Sequence, residues 1–534
     1  MKRLDDLGGV DAMADGAIVD APGGQAVTVA RNVSTRYVAI AVEAALGLVI
    51  LPFNVAHLGA SAYGLWMLTA SVTAYFSVLD LGYSGALVKF VAEYRARRDT
   101  KALNEILSTL FVLFTGFGVL VYLAAIAVAF NLGTFFKLSP EQVATGRVVL
   151  LVISVNVALG MAFSVFGGVI NGFQRYDLNN LVGALSSVAT ALVNVLVLWM
   201  GFGLVELVTA TTAVRVLTYV IYRANAYRVF PALQIRASHF SPSRLREVTS
   251  FSVYMLLIDW ANKLNFSVDA LVIGFSMGTT AVAVWTVAER IAEATQRLTN
   301  QLNDVLFPAI VNDDVTARNE RLQRIFIQGT RLSLATVVPL GVAIALMAGP
   351  LVHAWVGDEF AAAVLLVQLL SFVVIVRVGN ATGGTLLKGA GRHRLLAFGN
   401  VSAAIANLGL SLLLVRMIGL PGVAIGTMVP VAVVAVLVIF PAACARVGIS
   451  VATGVRSAVW PAVWPAAVMA GVNRATVDLF PPTLIAVGAQ IVLALAVYWT
   501  TFVLFSLSAE ERQFYLTKVL QLRTGWRVAA SEGA

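Results

Sequence analysis

Apolar runs of about twenty residues, separated by short polar breaks, recur from residue 35 to residue 506 of this 534-residue chain. At 1.5 Å per residue such a run spans a hydrocarbon core of about 30 Å. The pattern therefore predicts an all-α polytopic membrane protein. Crossings are expected near 32–56, 64–90, 105–130, 146–172, 179–200, 204–224, 247–275, 279–308, 326–348, 361–386, 395–415, 421–443, 456–472 and 483–506. Two of these fourteen depart from the norm. The segment 456–472 is short and interrupted by proline, and 279–308 contains the polar stretch AERIAEATQRLTNQLND at 288–304.

Composition agrees with the pattern. Charged residues make up 12% of the chain, against about 25% in soluble domains. The cationic residues orient the helices. With the N-terminus inside, most of the 37 Lys and Arg lie at the cytoplasmic ends, and only Lys137, Arg147, Arg416 and Arg474 lie at the ends expected outside, as the positive-inside rule requires. Deleting the crossing at 279–308 would invert every later loop and put Lys388, Arg392 and Arg394 outside. The polar stretch is therefore expected to cross the membrane.

Other classes are excluded by absences. Cys444 is the single cysteine, and the four histidines lie far apart, so neither a disulfide framework nor a metal site is expected. No phosphate-binding loop is present, since KGAGRHR at 388–394 lacks its pattern. The loops expected outside are too short for a glycan polymerase or ligase. No enzymatic activity, no cofactor and no nucleic-acid partner are expected.

The chain also repeats. LGASAYGLW at 58–66 matches MGTTAVAVW at 277–285 through Gly59/Gly278, Ala62/Ala281 and Trp66/Trp285. GGVINGFQR at 167–175 and GGTLLKGAGR at 383–392 recur at nearly the same offset. A unit of six crossings enters the membrane in the same orientation each time, so the two copies form parallel lobes with substrate between them. The expected organisation is a disordered cytoplasmic tail (1–30), an N-lobe (31–230), a basic cytoplasmic linker (231–246), a C-lobe (247–443), two additional helices (444–506) and a cytoplasmic C-terminal tail (507–534).

The hairpin around LGASAYGLW, the exit LDLGYSGALVKFVAEY and the junction GGVINGFQRYDLNN resemble the polysaccharide (Wzx-like) flippases. These belong to the multidrug/oligosaccharidyl-lipid/polysaccharide exporter (MOP) superfamily. The helices bearing Asn194 and Asn407, each before a Gly-containing turn, fit as well. The resemblance implies a V-shaped, two-lobed transporter in the bacterial inner membrane. It implies that undecaprenyl-pyrophosphate-linked oligosaccharide is flipped by alternating access, with a polysaccharide polymerase and glycosyltransferases as pathway partners. The alternatives are a lipid II flippase and a cation-coupled multidrug exporter of the same superfamily.

The candidate site follows from the charges within crossings. Arg290, Glu293, Arg297, Asn300 and Asp304 recur every three or four residues and form one helical stripe. Asp259, Asn262, Lys263, Phe266 and Asp269 form a matching face on the preceding crossing. An ionised side chain facing lipid at mid-depth costs at least about 2.5–3.5 kcal/mol, so these faces are expected to line a wet cavity. Arg290, Lys263, Arg297, Arg215 and Arg377 are candidates for a pyrophosphate head group, which suits guanidinium forks. The same cations could instead pair with neighbouring acids, as the i, i+4 spacing of Glu293 and Arg297 shows. Asp259, Glu43 and Asp80 are candidates for a coupling proton or Na⁺.

Overall fold

The computed structural model describes residues 22–76, 83–249, 268–315, 319–479, 481–509 and 511–513, and among these the protein is all-α. The first six long helices are α1 (Pro22–Phe76), α2 (Tyr83–Ala96), α3 (Thr100–Phe130), α4 (Pro140–Gly172), α5 (Tyr176–Trp199) and α6 (Leu204–Val229). After residues 268–276, which are helical, come α7 (Thr279–Val315), α8 (Asn319–Leu346), α9 (Ala348–Val356), α10 (Ala363–Gly389), α11 (His393–Ile418) and α12 (Leu420–Val434). The chain ends in α13 (Pro465–Thr476) and α14 (Leu484–Thr501).

Ten helices among the described residues are long and apolar enough to cross a membrane. Large apolar side chains such as Trp199, Phe398, Ile405 and Ile485 stand exposed on helix exteriors, a surface suited to hydrocarbon rather than water. The expected crossings outside the ten each have a reason. The segment 64–90 is shared between α1 and α2, and 247–275 lies largely outside the described residues. The helix α7 is too polar for a hydropathy test. Residues 451–476 are helical but broken into short pieces around Pro461 and Pro465.

Two glycines shape the chain where the repeat aligns them. Gly59 divides α1 into two helical segments with φ of 75°, and Gly278 precedes α7 with φ of 90°. Both lie in the left-handed region that favours glycine. The helices fall into two groups by packing. Helices α1 to α6 pack among themselves, as do α7, α8, α10, α11 and α12, while α13 and α14 pack on α8. The first group meets the second chiefly through α1, which packs on α7 and α9. The largest buried core lies at this seam, with Leu51, Val55 and Leu68 of α1 against Val284, Val287 and Ile291 of α7 and Leu366 and Val373 of α10.

The seam is tightest at the end expected outside. A Cβ on Gly64 would lie 1.9 Å from the carbonyl oxygen of Thr279, so only glycine lets the helices come this close. Gln142 Nε2 donates to both Ser61 Oγ (2.8 Å) and Thr279 Oγ1 (3.0 Å), bridging the two groups. Farther along α1, Pro52 has no N–H to offer the Leu48 carbonyl. Trp355 Nε1 of α9 supplies the missing donor at 2.7 Å. At the other end, the linker is clamped rather than free. Asn104 holds both Ala232 O and Gln234 N (2.9 Å each), and Arg244 reaches Tyr94 Oη (2.8 Å), Glu247 (3.2 Å) and Glu105 (3.4 Å).

Overpacking a close contact costs about 1–3 kcal/mol. Gly64→Ala is therefore expected to lower the apparent Tm of the detergent-solubilised protein. Gly116→Ala, where an added Cβ meets nothing within 4 Å, should not. Equal melting of both variants in a fluorescence thermal scan would contradict the close seam.

Candidate functional site

The polar helix α7 runs between two cavities. The first, of about 560 Å³, lies between the two helix groups. Glu43, Gly47, Ile50 and Asn54 of α1 line it, followed beyond the Gly59 break by Tyr63, Trp66 and Met67. Helix α5 adds Gly183, Ser187, Thr190 and Asn194, α6 adds Arg215 and Tyr222, and α7 adds Arg290. The second cavity, of about 320 Å³, lies within the second group. Its charged lining is Asp269, Glu289, Glu293, Arg297 and Arg377, accompanied by Trp285, Gln296 and Thr427.

The two cavities differ in charge. Counted as ionised, the first holds two arginines against one glutamate, and the second holds three carboxylates against two arginines. One faces its contents with surplus positive charge, the other with surplus negative. Glu293 joins them, since its Oε2 lies 3.3 Å from Arg290 Nη1 and 3.6 Å from Arg297 Nη2. All three side chains remain about half accessible, so neither pairing consumes its guanidinium, which has five donors.

Structure thus distributes the charged candidates between two places. Arg290, Arg215 and Glu43 come together in the first cavity. Arg297 and Arg377 belong to the second, where Arg377 lies within electrostatic reach of Asp269 and Glu289. Lys263, Asp259 and Asp80, and the side chains of Asn300 and Asp304, lie outside the described residues. The expected stripe on α7 holds an ionic ladder, Arg290–Glu293–Arg297, whose members line two different cavities.

Within the second cavity, Asp269 joins Thr427 in a polar cluster that reaches Asn407 and Ser411. Asp269 is 4% exposed. Its Oδ2 accepts from Thr427 Oγ1 at 3.0 Å, while Oδ1 has no hydrogen-bond partner among the described residues. Thr427 also approaches Asn407 Oδ1 (3.4 Å), which accepts from Ser411 Oγ at 2.9 Å. An aspartate beside the Thr427 hydroxyl, with Arg377 and Glu289 lining the same cavity, offers hard oxygen donors suited to a small cation or a proton. Its members come from three segments, with Asp269 about 140 residues from Asn407, so no linear motif announces it. The sequence placed Asp269 on the polar face of the crossing before α7 and singled out Asn407 in the resemblance, but nothing in it brought the two together. Among the described residues, no group of three or more His, Cys, Asp or Glu side chains is placed to hold a metal ion.

Comparison with known proteins accords with this geometry. Residues 29–312, more than half of the chain, match the family described as polysaccharide biosynthesis protein. A probable flippase, AglR of Haloferax volcanii, is 24% identical over 417 residues, covering 77% of this chain and 82% of the relative. A putative O-antigen transporter of Shigella flexneri is 18% identical over 265 residues, covering 49% of this chain and 62% of the relative. Among solved structures, the lipid II flippase MurJ in an inward closed conformation superposes with a TM-score of 0.68 at 13% identity, covering 90% of this chain and 98% of that one. An inward-facing multidrug resistance MATE family transporter of the MOP superfamily superposes at 0.65 with 16% identity, covering 76% and 94%. These likenesses show a fold of the MOP type; the packing group of α1 to α6 is termed the N-lobe and the group that contains α7, α8 and α10 to α12 the C-lobe. The chain is a multi-pass membrane protein and belongs to the polysaccharide biosynthesis protein family.

Proposed function

We propose that this protein is a flippase that carries undecaprenyl-pyrophosphate-linked oligosaccharide across the bacterial inner membrane by alternating access, its termini on the cytoplasmic side. The observation that carries this reading is the surplus positive charge of the inter-lobe cavity. Arg215 enters it from the N-lobe and Arg290 from the C-lobe. A pyrophosphate bridging them takes charge-assisted hydrogen bonds from both lobes at once. Such a ligand favours the closed cavity and loses half its contacts when the lobes part. Release on the far side follows from the same geometry.

The polymerase and glycosyltransferases that consume and supply this glycolipid are the expected pathway partners. A lipid II flippase would use the same head-group chemistry, and the MurJ likeness favours it as the second reading. Export of cationic drugs fits less well, because the cavity between the lobes would repel a cation.

We place the coupling ion, a proton or Na⁺, at Asp269 with Thr427 and Asn407. Of the acids expected to couple, Glu43 lines the head-group cavity instead. The partnerless Asp269 Oδ1 supports this assignment, since a buried acceptor without a donor is costly unless a proton or cation completes it.

Two outcomes are expected in reconstituted vesicles. Arg290→Ala and Arg215→Ala should each slow flipping of a fluorescent polyprenyl-pyrophosphate oligosaccharide by about tenfold or more, since one lost charge-assisted contact is worth about 1.5–3 kcal/mol. Transport of a cationic dye in place of the glycolipid would overturn the reading. Asp269→Asn should remove the response of the flipping rate to an imposed Na⁺ or proton gradient, and a response that survives would move the coupling site elsewhere.

A further inference from the structure

At the outer end of the lobe seam, one amide crosses from lobe to lobe. Gln142 lies in the first turn of α4, and three bonds fix it within the N-lobe. Its Oε1 accepts from the Ser139 N–H (2.9 Å), its own backbone N–H donates to Ser139 Oγ (3.2 Å), and Nε2 donates to Ser61 Oγ of α1 (2.8 Å). An amide oxygen committed to an N–H donor can be placed only one way round. The remaining N–H of Nε2 therefore points out of the lobe, where it meets Thr279 Oγ1 at 3.0 Å. Thr279 is 4% exposed and begins α7 of the C-lobe.

The same stretch of the N-lobe makes a second contact. The Lys137 N–H donates to the Gly274 carbonyl at 3.4 Å, and a Cβ on Gly278 would lie 3.2 Å from the Lys137 oxygen. Residues 137–142 thus clasp the turn at 274–279 that leads into α7. Both bonds join uncharged groups, which make the weaker class of hydrogen bond. Such a clasp holds one arrangement of the lobes and still breaks in each cycle of transport. Arg290, which lines the inter-lobe cavity, lies about 16 Å farther along α7. The clasped threonine and the cavity-lining arginine therefore move on one rod.

We propose that Gln142 and Thr279 form the outer gate of the inter-lobe cavity. The bond between them holds the cavity shut from outside and breaks whenever the cavity opens there. This inference rests on the alternating-access reading above and deepens it. The gate is uncharged, so the positive charge of the cavity is left to the cargo.

The test is the accessibility of a cysteine in that cavity. Ser187→Cys supplies one on α5, in a Cys444→Ser background that removes the single native cysteine. Labelling of the full-length protein by a membrane-impermeant maleimide is timed in right-side-out and in inside-out membrane vesicles. The parent should react slowly from outside and faster from inside. Thr279→Val keeps the shape and loses the hydroxyl, and should raise the outside rate about threefold to tenfold, the worth of one neutral hydrogen bond. Thr279→Ser keeps the hydroxyl and should stay at the parent rate. Ser139→Ala weakens the α4 cap but spares the Gln142–Thr279 bond, so it should also leave the rate in place.

The gate is overturned if Thr279→Val labels from outside at the parent rate, or if Ser139→Ala raises that rate as much. It is also overturned if the parent labels from outside as fast as from inside. A cysteine reached from neither side in any variant would instead remove the wet cavity, and with it the alternating-access reading, a separate result.

Discussion

An ionised side chain cannot rest against hydrocarbon at mid-membrane without costing several kcal/mol, and α7 carries Glu289, Arg290, Glu293 and Arg297 within nine residues. This helix can exist in a bilayer only if protein or water surrounds it on every polar side. The rest of the architecture meets that demand. The N-lobe gives α7 one wall through α1, and α10 gives it another. The close approach at Gly64 and the Gln142 bridge hold the first wall in place where the two lobes meet.

Walling α7 on both sides leaves two wet spaces of opposite charge with one helix between them. Glu293 faces guanidiniums directed toward each. A displacement of α7 that changes one cavity therefore changes the other. Arrival of an anion at Arg290 competes with Glu293, and the freed carboxylate remains available to Arg297 and the acidic cavity. On the proposed reading, this ladder is the route by which an anionic head group and a small cation would sense one another. Two lobes that meet chiefly along α1 and α7 would, on the proposed reading, need only a change at that contact to alter access.

Much of this was legible in the sequence. The length of the apolar runs showed the helices, and the spacing of Arg290, Glu293 and Arg297 showed a single polar ladder. The repeat aligned Gly59 with Gly278, and the structure gives both glycines a positive φ. What escaped was the assignment of neighbours in space. Arg290 and Arg297 lie two turns apart on one helix, and sequence alone treats them alike. Structure separates them along the helix axis: seven residues leave them on nearly one face but about 10 Å apart, and each lines a different cavity. Asp269, Asn407 and Thr427 belong to three crossings, and their contact depends on tertiary packing that no spacing encodes. The same holds for Gln142 and Thr279, which meet only once the two lobes are packed together.

The central claim is that the two arginines of α7 serve different cavities. Binding of a polyprenyl-pyrophosphate oligosaccharide to Arg290→Glu and Arg297→Glu tests it directly, since charge reversal at a phosphate contact costs more than its loss. The account predicts that Arg290→Glu abolishes binding while Arg297→Glu retains it within a few fold. Loss of binding in Arg297→Glu with retention in Arg290→Glu would contradict it.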